Sequence, residues 1–376
     1  MHTLFMGVDI KDGHFVYDNS DKLEKICIYL PESMKTKLEA DARHFEVFKA
    51  NNIDINFNRF LGNLIMGHYK QYQDEISDDL KTISDILGNR IKITITETEG
   101  KKQQKSTTID DVPSLAREIR QGLTKAHEDK SGKKTERIAL KPTKTTWPVI
   151  EQITKTNPEE SSSNSFVRIF QSYLKNPSYI REQIIYKERY DALQEAINKE
   201  QPISFSIAGN LNKVHTVFPC RIAHGPEEIF NYLLCAETDK KGRLRAKSYR
   251  LNRMTGIIET TADIVPDETV RRHLDDMERI SPAYEINDDQ ECCVFLNEDG
   301  HAAYRQIYLQ RPPYSKIKPV EGGYLYYFTC SKQHVERYFR RFNEGQAIIK
   351  KPAWLRNQVI DYHKSILEKY KSESQN

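Results

Sequence analysis

"RLRAKSYRLNR" (Arg243–Arg253) decides how this chain is read. Five cations, Arg243, Arg245, Lys247, Arg250 and Arg253, fall within it and no acid lies among them. The first three alternate with Leu244, Ala246 and Ser248. That is strand periodicity, so the three cations share one face. Successive residues on such a face are spaced by roughly 6.6 Å, and successive phosphates of an extended single strand by about 6–7 Å. Each cation can therefore meet one phosphate. Tyr249 extends the face, and Tyr232 is expected on a neighbouring strand. Aromatic rings beside a cationic track suit single-stranded RNA, whose bases can stack on them, better than duplex DNA. The same stretch also reads as a basic edge strand that deters aggregation.

The rest of the composition gives the track no global support. The 376 residues carry 57 Lys and Arg against 54 Asp and Glu, a net charge of +3, so local segregation of sign is what matters. The length implies two to four domains. None of the six cysteines forms CxxC, and all lie in or beside apolar runs, which reads as reduced thiols in a cytoplasmic protein. The amino-terminus lacks the pattern of a signal peptide, and no apolar run reaches membrane-spanning length. The chain has no HExxH, GxSxG, Walker motif or zinc-type His/Cys spacing. The expectation is a non-enzyme with no metal, no cofactor and no membrane partner. A Ser206–His215 dyad is the remote catalytic alternative.

Residues 1–21 read as a loose arm. Over 22–75, Ile26, Ile28 and Leu30 alternate as a strand that Pro31 stops. An amphipathic helix then carries Met34, Leu38, Ala42 and Phe45, and a second begins near Asn58 with Phe60, Leu61, Leu64 and Ile65. A lone strand has no partner, so two copies are expected to pair their strands. The order resembles a ribbon-helix-helix module, which implies that the outward residues Lys25, Cys27 and Tyr29 face a nucleic-acid groove, or that the module only dimerises. Residues 76–155 read as a connecting hairpin, with Ile91, Ile93 and Ile95 alternating, followed by a helix capped by Asp110 or Asp111. Between Lys101 and Lys144 twelve Lys or Arg stand against six Asp or Glu, and "EDKSGKKTER" reads as a mobile basic loop. Residues 156–200 read as a linker and helices broken near "KNPSY".

From 201 to 265 four short strands with tight turns predict a small barrel of SH3 or Sm type. "NYLLCAETD" and "KSYRLNRM" stand at the spacing of the two signature motifs of WYL domains, and "FPCRI" resembles the segment before them. Asn231 replaces the tryptophan of that family, Cys220 a tyrosine, Lys247 an arginine and Asn252 an aspartate. The resemblance implies a ligand- or nucleic-acid-sensing barrel with a basic groove. Its candidate contacts are Ser206, His215, Arg221, Tyr232, Arg243, Arg245, Lys247, Tyr249, Arg250 and Arg253.

Residues 266–376 read as strand, helix, hairpin around Gly322-Gly323, helix, strand and final helix. This resembles the C-terminal extension of WYL proteins, which implies dimer contact; Tyr324, Tyr326, Tyr327 and Phe328 crowd together as an interface, a stacking platform or a core. The fold class expected is therefore α+β multidomain: ribbon-helix-helix, WYL barrel and C-terminal α+β domain. That domain order resembles the accessory proteins encoded beside type VI-D CRISPR effectors. The resemblance implies a homodimer, joined through the ribbon module and the C-terminal domain, that binds single-stranded RNA and stimulates an RNA-guided effector nuclease. The alternative is a transcriptional regulator that reads operator DNA with its ribbon and senses a ligand with its barrel. The uncharged Cys27 and single Tyr29 make poor base readers, which favours RNA.

Overall fold

The computed structural model describes residues 8–11, 14–17, 25–51, 53–90, 96–98, 101–103, 112–128, 136–156, 162–225 and 230–373. The chain is α+β and divides into two compact units, Met1–Pro177 and Ser178–Asn376.

The first unit runs β1 (Val8–Lys11), β2 (His14–Tyr17), β3 (Ile26–Leu30), α1 (Glu32–His44), α2 (Phe57–Arg90), β4 (Thr96–Thr98), β5 (Lys101–Gln103), α3 (Val112–Glu128), β6 (Glu136–Leu140), α4 (Trp147–Thr156) and α5 (Ser162–Lys175). The arm expected to be loose holds an antiparallel β1–β2 hairpin. The connecting hairpin is β4–β5; Ile91, Ile93, Ile95, Asp110 and Asp111 lie outside the described residues.

The expectation that β3 pairs with a second copy is corrected. β3 pairs antiparallel with β6 of the same chain, with Ile26 opposite Leu140, Ile28 opposite Ile138 and Leu30 opposite Glu136. On its other edge, the Tyr29 N–H donates to Ser163 Oγ at 3.2 Å, at the start of α5. One edge of β3 is therefore paired within the chain, and one N–H of the other edge is engaged there as well. The reason is hydrophobic: Ile28 and Leu30 are fully buried, and Ile138 and Leu140 supply the matching apolar face. Strand–helix–helix thus occurs twice, as β3–α1–α2 and β6–α4–α5. The anticipated apolar faces of α1 and α2 are buried, from Met34 to Phe45 and from Phe60 to Ile65. Beneath the ribbon, Tyr173 donates to Asp41 Oδ2 at 3.0 Å.

The second unit runs α6 (Ser178–Ile185), α7 (Lys187–Asn198), β7 (Ile203–Ile207), β8 (Asn210–Ala223), β9 (Tyr232–Thr238), β10 (Leu244–Arg250), a 3-10 turn (Leu251–Arg253), β11 (Met254–Glu259), α8 (Glu268–Ile280), β12 (Cys292–Leu296), α9 (Glu298–Gln306), β13 (Lys316–Val320), β14 (Gly323–Phe328), α10 (Lys332–Phe339), β15 (Ala347–Lys351) and α11 (Ala353–Glu373).

β7 to β11 form a five-stranded antiparallel sheet in the order β10-β9-β8-β7-β11, one strand more than expected. β7 and β10 lie three strands apart, which in a flat sheet is roughly 14 Å. Yet the rings of Phe205 on β7 and Tyr249 on β10 meet edge to face at 5.0 Å. The sheet therefore curls strongly, although no ladder joins β10 to β11 among the described residues. Asp267 caps α8 by accepting from the Val270 N–H, and Val270, Leu274 and Met277 pack on Leu234, Ala236 and Ala246. That buries one face of β9 and β10.

The C-terminal four-stranded sheet has the order β13-β14-β12-β15. Gly323 opens β14 where an added Cβ would lie 2.1 Å from the Leu296 carbonyl oxygen, so the close approach of the hairpin to β12 requires glycine. Tyr326 and Phe328 belong to the core between the sheet and α10, whereas Tyr324 and Tyr327 are half-buried. Crowding there is mainly packing.

Candidate nucleic-acid interface

Antiparallel register sorts the nominated residues by face. Arg245 lies opposite Glu237, Lys247 opposite Cys235 and Tyr249 opposite Leu233. These share the concave face with Phe205 and His215, which also pair. Tyr232 pairs with Arg250 and so lies on the other face. Ser206 pairs with Val214, not His215, and donates to the Leu211 carbonyl at 3.2 Å. A one-residue step on a strand reverses the face, so no Ser206–His215 dyad exists. Arg221 is also drawn away: its guanidinium binds Asp275 and, at 2.6 Å, Glu278, both on α8. Arg250 lies over the Phe230 ring at 3.5 Å. Arg253 is exposed in the 3-10 turn, and its carbonyl accepts the Ala208 N–H.

The basic strand keeps its one-sided pattern, but each of its first three cations has a carboxylate partner. Asp239 sits in the turn before β10 and accepts from Arg243 at 3.0 Å and Arg245 at 3.3 Å. Backbone N–H groups of Arg243 and Lys241 also bind it. These, led by the Arg243 N–H, hold its carboxyl well below the usual carboxylate range. Lys247 Nζ is 2.8 Å from Glu285. The track is therefore not a row of unpaired charges.

Glu285 arrives on a segment that lines the edge of β10. There Asn287 accepts the Ala246 N–H at 2.8 Å and donates to the Ala246 carbonyl at 2.9 Å, taking the place of a further strand. Ser248 donates to the Pro282 carbonyl. The segment is anchored at its far end too: Tyr284 stacks on His334 at 4.4 Å, and Asp288 binds the buried Lys332 at 2.6 Å.

On the concave face, His215 Nδ1 is 2.9 Å from Glu237 Oε1, and Tyr249 donates to Glu237 Oε2 at 2.5 Å. Burial and then this bond to Glu237 keep the Tyr249 phenol protonated far above its ordinary range. Its hydroxyl is thus committed and its ring packs on Phe205, which corrects its expected role as an open stacking platform.

Asn231, where the related motif has tryptophan, is fully buried. Its N–H and Nδ2 both donate to Glu182 Oε2, at 2.5 and 2.7 Å. Gln183 donates to its Oδ1 at 2.9 Å, and its carbonyl accepts the Leu251 N–H at 2.9 Å. These bonds tie α6 to the strands.

The cysteines are all free thiols. Burial pushes Cys292 and Cys330 up to about 12 and raises Cys235 as well, so these three stay protonated near neutral pH.

In the first unit the outward ribbon carries Cys27 and Tyr29 of β3 with Lys25 just before it, joined by Arg137 and Ala139 of β6 and by Lys141 just beyond it. Tyr29 is 46% exposed. Arg137 donates to Cys27 Sγ at 2.9 Å.

Sequence reasoning missed Glu237, Asp239, Glu285, Asn287 and Arg137. Alternation from Leu233 and Cys235 could have found Glu237, and the turn sequence "TDKKGR" could have found Asp239. Glu285, Asn287 and Arg137 act over long sequence separations and leave no local signal.

No family model matches this sequence, and no curated protein sequence matches it. Among solved structures, a protein described as CRISPR Cas-related aligns over 95% of this chain and 96% of its own, with a TM-score of 0.64 and 16% identity. That likeness establishes a shared fold. Proteasome accessory factor B/C of Arthrobacter aurescens aligns over 62% of this chain and 37% of its own, at 13% identity and a TM-score of 0.24, too low to bear on the fold. Among the described residues no helix is long and apolar enough to cross a membrane.

Proposed function

We propose that this is a non-enzymatic, cytoplasmic accessory protein that binds single-stranded RNA on a WYL-type barrel and stimulates an RNA-guided, RNA-targeting CRISPR effector nuclease. The observation that carries the reading is the one-sided run of Arg243, Arg245 and Lys247 along the β10 edge of the sheet, whose residue spacing in a strand matches that of a nucleic-acid backbone. Full-length likeness to a CRISPR Cas-related fold supports it.

The carboxylates refine the mechanism. Asp239 and Glu285 hold the cations by the N–H···O bonds a phosphate oxygen would make. Backbone N–H groups fix Asp239 in its turn, so it stays and orients Arg243 and Arg245. Glu285 is bound only through Lys247 in the described structure, and a phosphate exchanges with it. The protein acts as a homodimer through its C-terminal domain. In α11, Ile360, Leu367 and Tyr370 form an exposed apolar stripe at helical spacing suited to that contact.

One observation favours a second reading. The ribbon, completed within the chain, exposes Lys25, Tyr29, Arg137 and Lys141, which suits a regulator that binds duplex DNA. Anisotropy titrations with length-matched single-stranded RNA, single-stranded DNA and duplex DNA, over roughly 50–200 mM salt, separate the two. Tight, sequence-tolerant RNA binding is expected. Preference for duplex DNA overturns the accessory reading.

A further inference from the structure

On the reading that the concave β10 face holds single-stranded RNA, we propose that His215 distinguishes RNA from DNA there, its Nε2 accepting a hydrogen bond from a ribose 2′-hydroxyl. The tautomer follows from the neighbours. A carboxylate oxygen 2.9 Å from a ring nitrogen needs a proton between them. The Tyr249 hydroxyl has one proton and gives it to Glu237 Oε2 at 2.5 Å. Nδ1 must therefore carry its own proton, shared between Glu237 and the Tyr249 oxygen at 2.8 Å. In the neutral ring Nε2 is then an acceptor.

The ring is held in place. It is 7% exposed, stacked on Phe205 at 5.7 Å and edge-on to Tyr249 at 4.9 Å. Nε2 has no hydrogen-bond partner among the described residues.

The surroundings define what Nε2 can take. The carboxylates of the face are committed: Glu237 to His215 and Tyr249, Asp239 to Arg243 and Arg245, and Glu285 to Lys247. Arg245 and Lys247 offer only donors, which serve phosphate oxygens. An uncommitted acceptor beside them calls for a neutral donor on the ligand. The donor that RNA has and DNA lacks along its backbone is the 2′-hydroxyl.

The test uses one sequence as RNA, DNA and 2′-O-methyl RNA. The intact wild-type protein should bind RNA roughly three- to tenfold more tightly than the other two, the effect of one such bond. His215→Ala should bring RNA down to the DNA affinity and leave DNA unchanged. In Glu237→Gln, with Tyr249 donating to the amide oxygen, the amide N–H faces Nδ1 and the ring proton moves to Nε2, which then donates to the 2′-oxygen; RNA and 2′-O-methyl RNA, both of which offer that acceptor, should then bind alike. An RNA preference over DNA that persists in His215→Ala, or equal wild-type affinities for RNA and 2′-O-methyl RNA, overturns the inference and leaves the phosphate track standing. Absence of salt-dependent RNA binding in the wild type overturns the track and this inference together. The three probes on wild-type protein need no variant to fold.

Discussion

The molecule carries two basic strand surfaces, and they are built on opposite principles. On β10, Arg243, Arg245 and Lys247 are each held by a carboxylate at 2.8 to 3.3 Å. On the β3–β6 ribbon, Lys25, Arg137 and Lys141 have no ion pair among the described residues. On the proposed reading both surfaces take phosphate, but they differ in what binding would displace. A ligand on the ribbon would meet cations without a carboxylate partner among the described residues; a ligand on β10 would displace Glu285. The exchange lowers affinity by the value of the ion pair, yet a lone carboxylate has no condensed counterion atmosphere. The salt slope of β10 therefore still reports phosphates neutralised. Affinity and slope become separate readouts, which a row of unpaired cations does not provide.

The largest effect is all-or-none and concerns how the ribbon is made. Cys27 lies directly opposite Ala139. Oxidised Ala139→Cys protein should cross-link to Cys27 within one chain and run as a compact monomer on a denaturing gel. A covalent dimer would mean that the ribbon forms between copies. Next is the frame that holds β9 and β10. Asn231→Ala removes the Nδ2 bond to the buried Glu182 and the bond from Gln183 to Oδ1, while the backbone N–H bond to Glu182 stays, and should cost about 3 kcal/mol in chemical denaturation; a loss well under 1 kcal/mol would make that network incidental.

A smaller effect tests the exchange itself. Glu285→Gln should tighten single-stranded RNA binding up to about fivefold, since partly exposed pairs are worth at most ~1 kcal/mol. The salt slope should not move. Unchanged affinity would show that Glu285 does not compete. Smallest of all, replacing Lys25, Arg137 and Lys141 with alanine should change single-stranded RNA affinity by less than about twofold while weakening any duplex binding. A larger loss for RNA than for duplex would reverse the roles of the two surfaces.

What was legible in the sequence follows from range. Alternation placed the cations of β10 on one face, because a strand's side-chain period is local. The C-terminal order was readable from local turns, a glycine pair and helical spacing. The paired state of β10 was not, since Glu285 lies 38 residues beyond Lys247 and only the fold brings them together. The same distance effect hid the ribbon's partner. Glu136 and Arg137 read as the end of the basic loop "EDKSGKKTER", and the short apolar alternation of Ile138 and Leu140 gains its meaning only when β3 is placed beside it. Assigning Tyr232 and Ser206 to the concave face failed for a narrower reason: adjacency of strands says nothing about register, and one residue decides the face.

The most direct test is the salt dependence of single-stranded RNA binding by the wild type and by the Arg243→Ala, Arg245→Ala, Lys247→Ala triple variant. Three lost contacts at about 0.7 each predict a slope shallower by about 2, together with weaker binding. Identical affinity and slope in the two proteins would contradict the assignment of β10 as the RNA track.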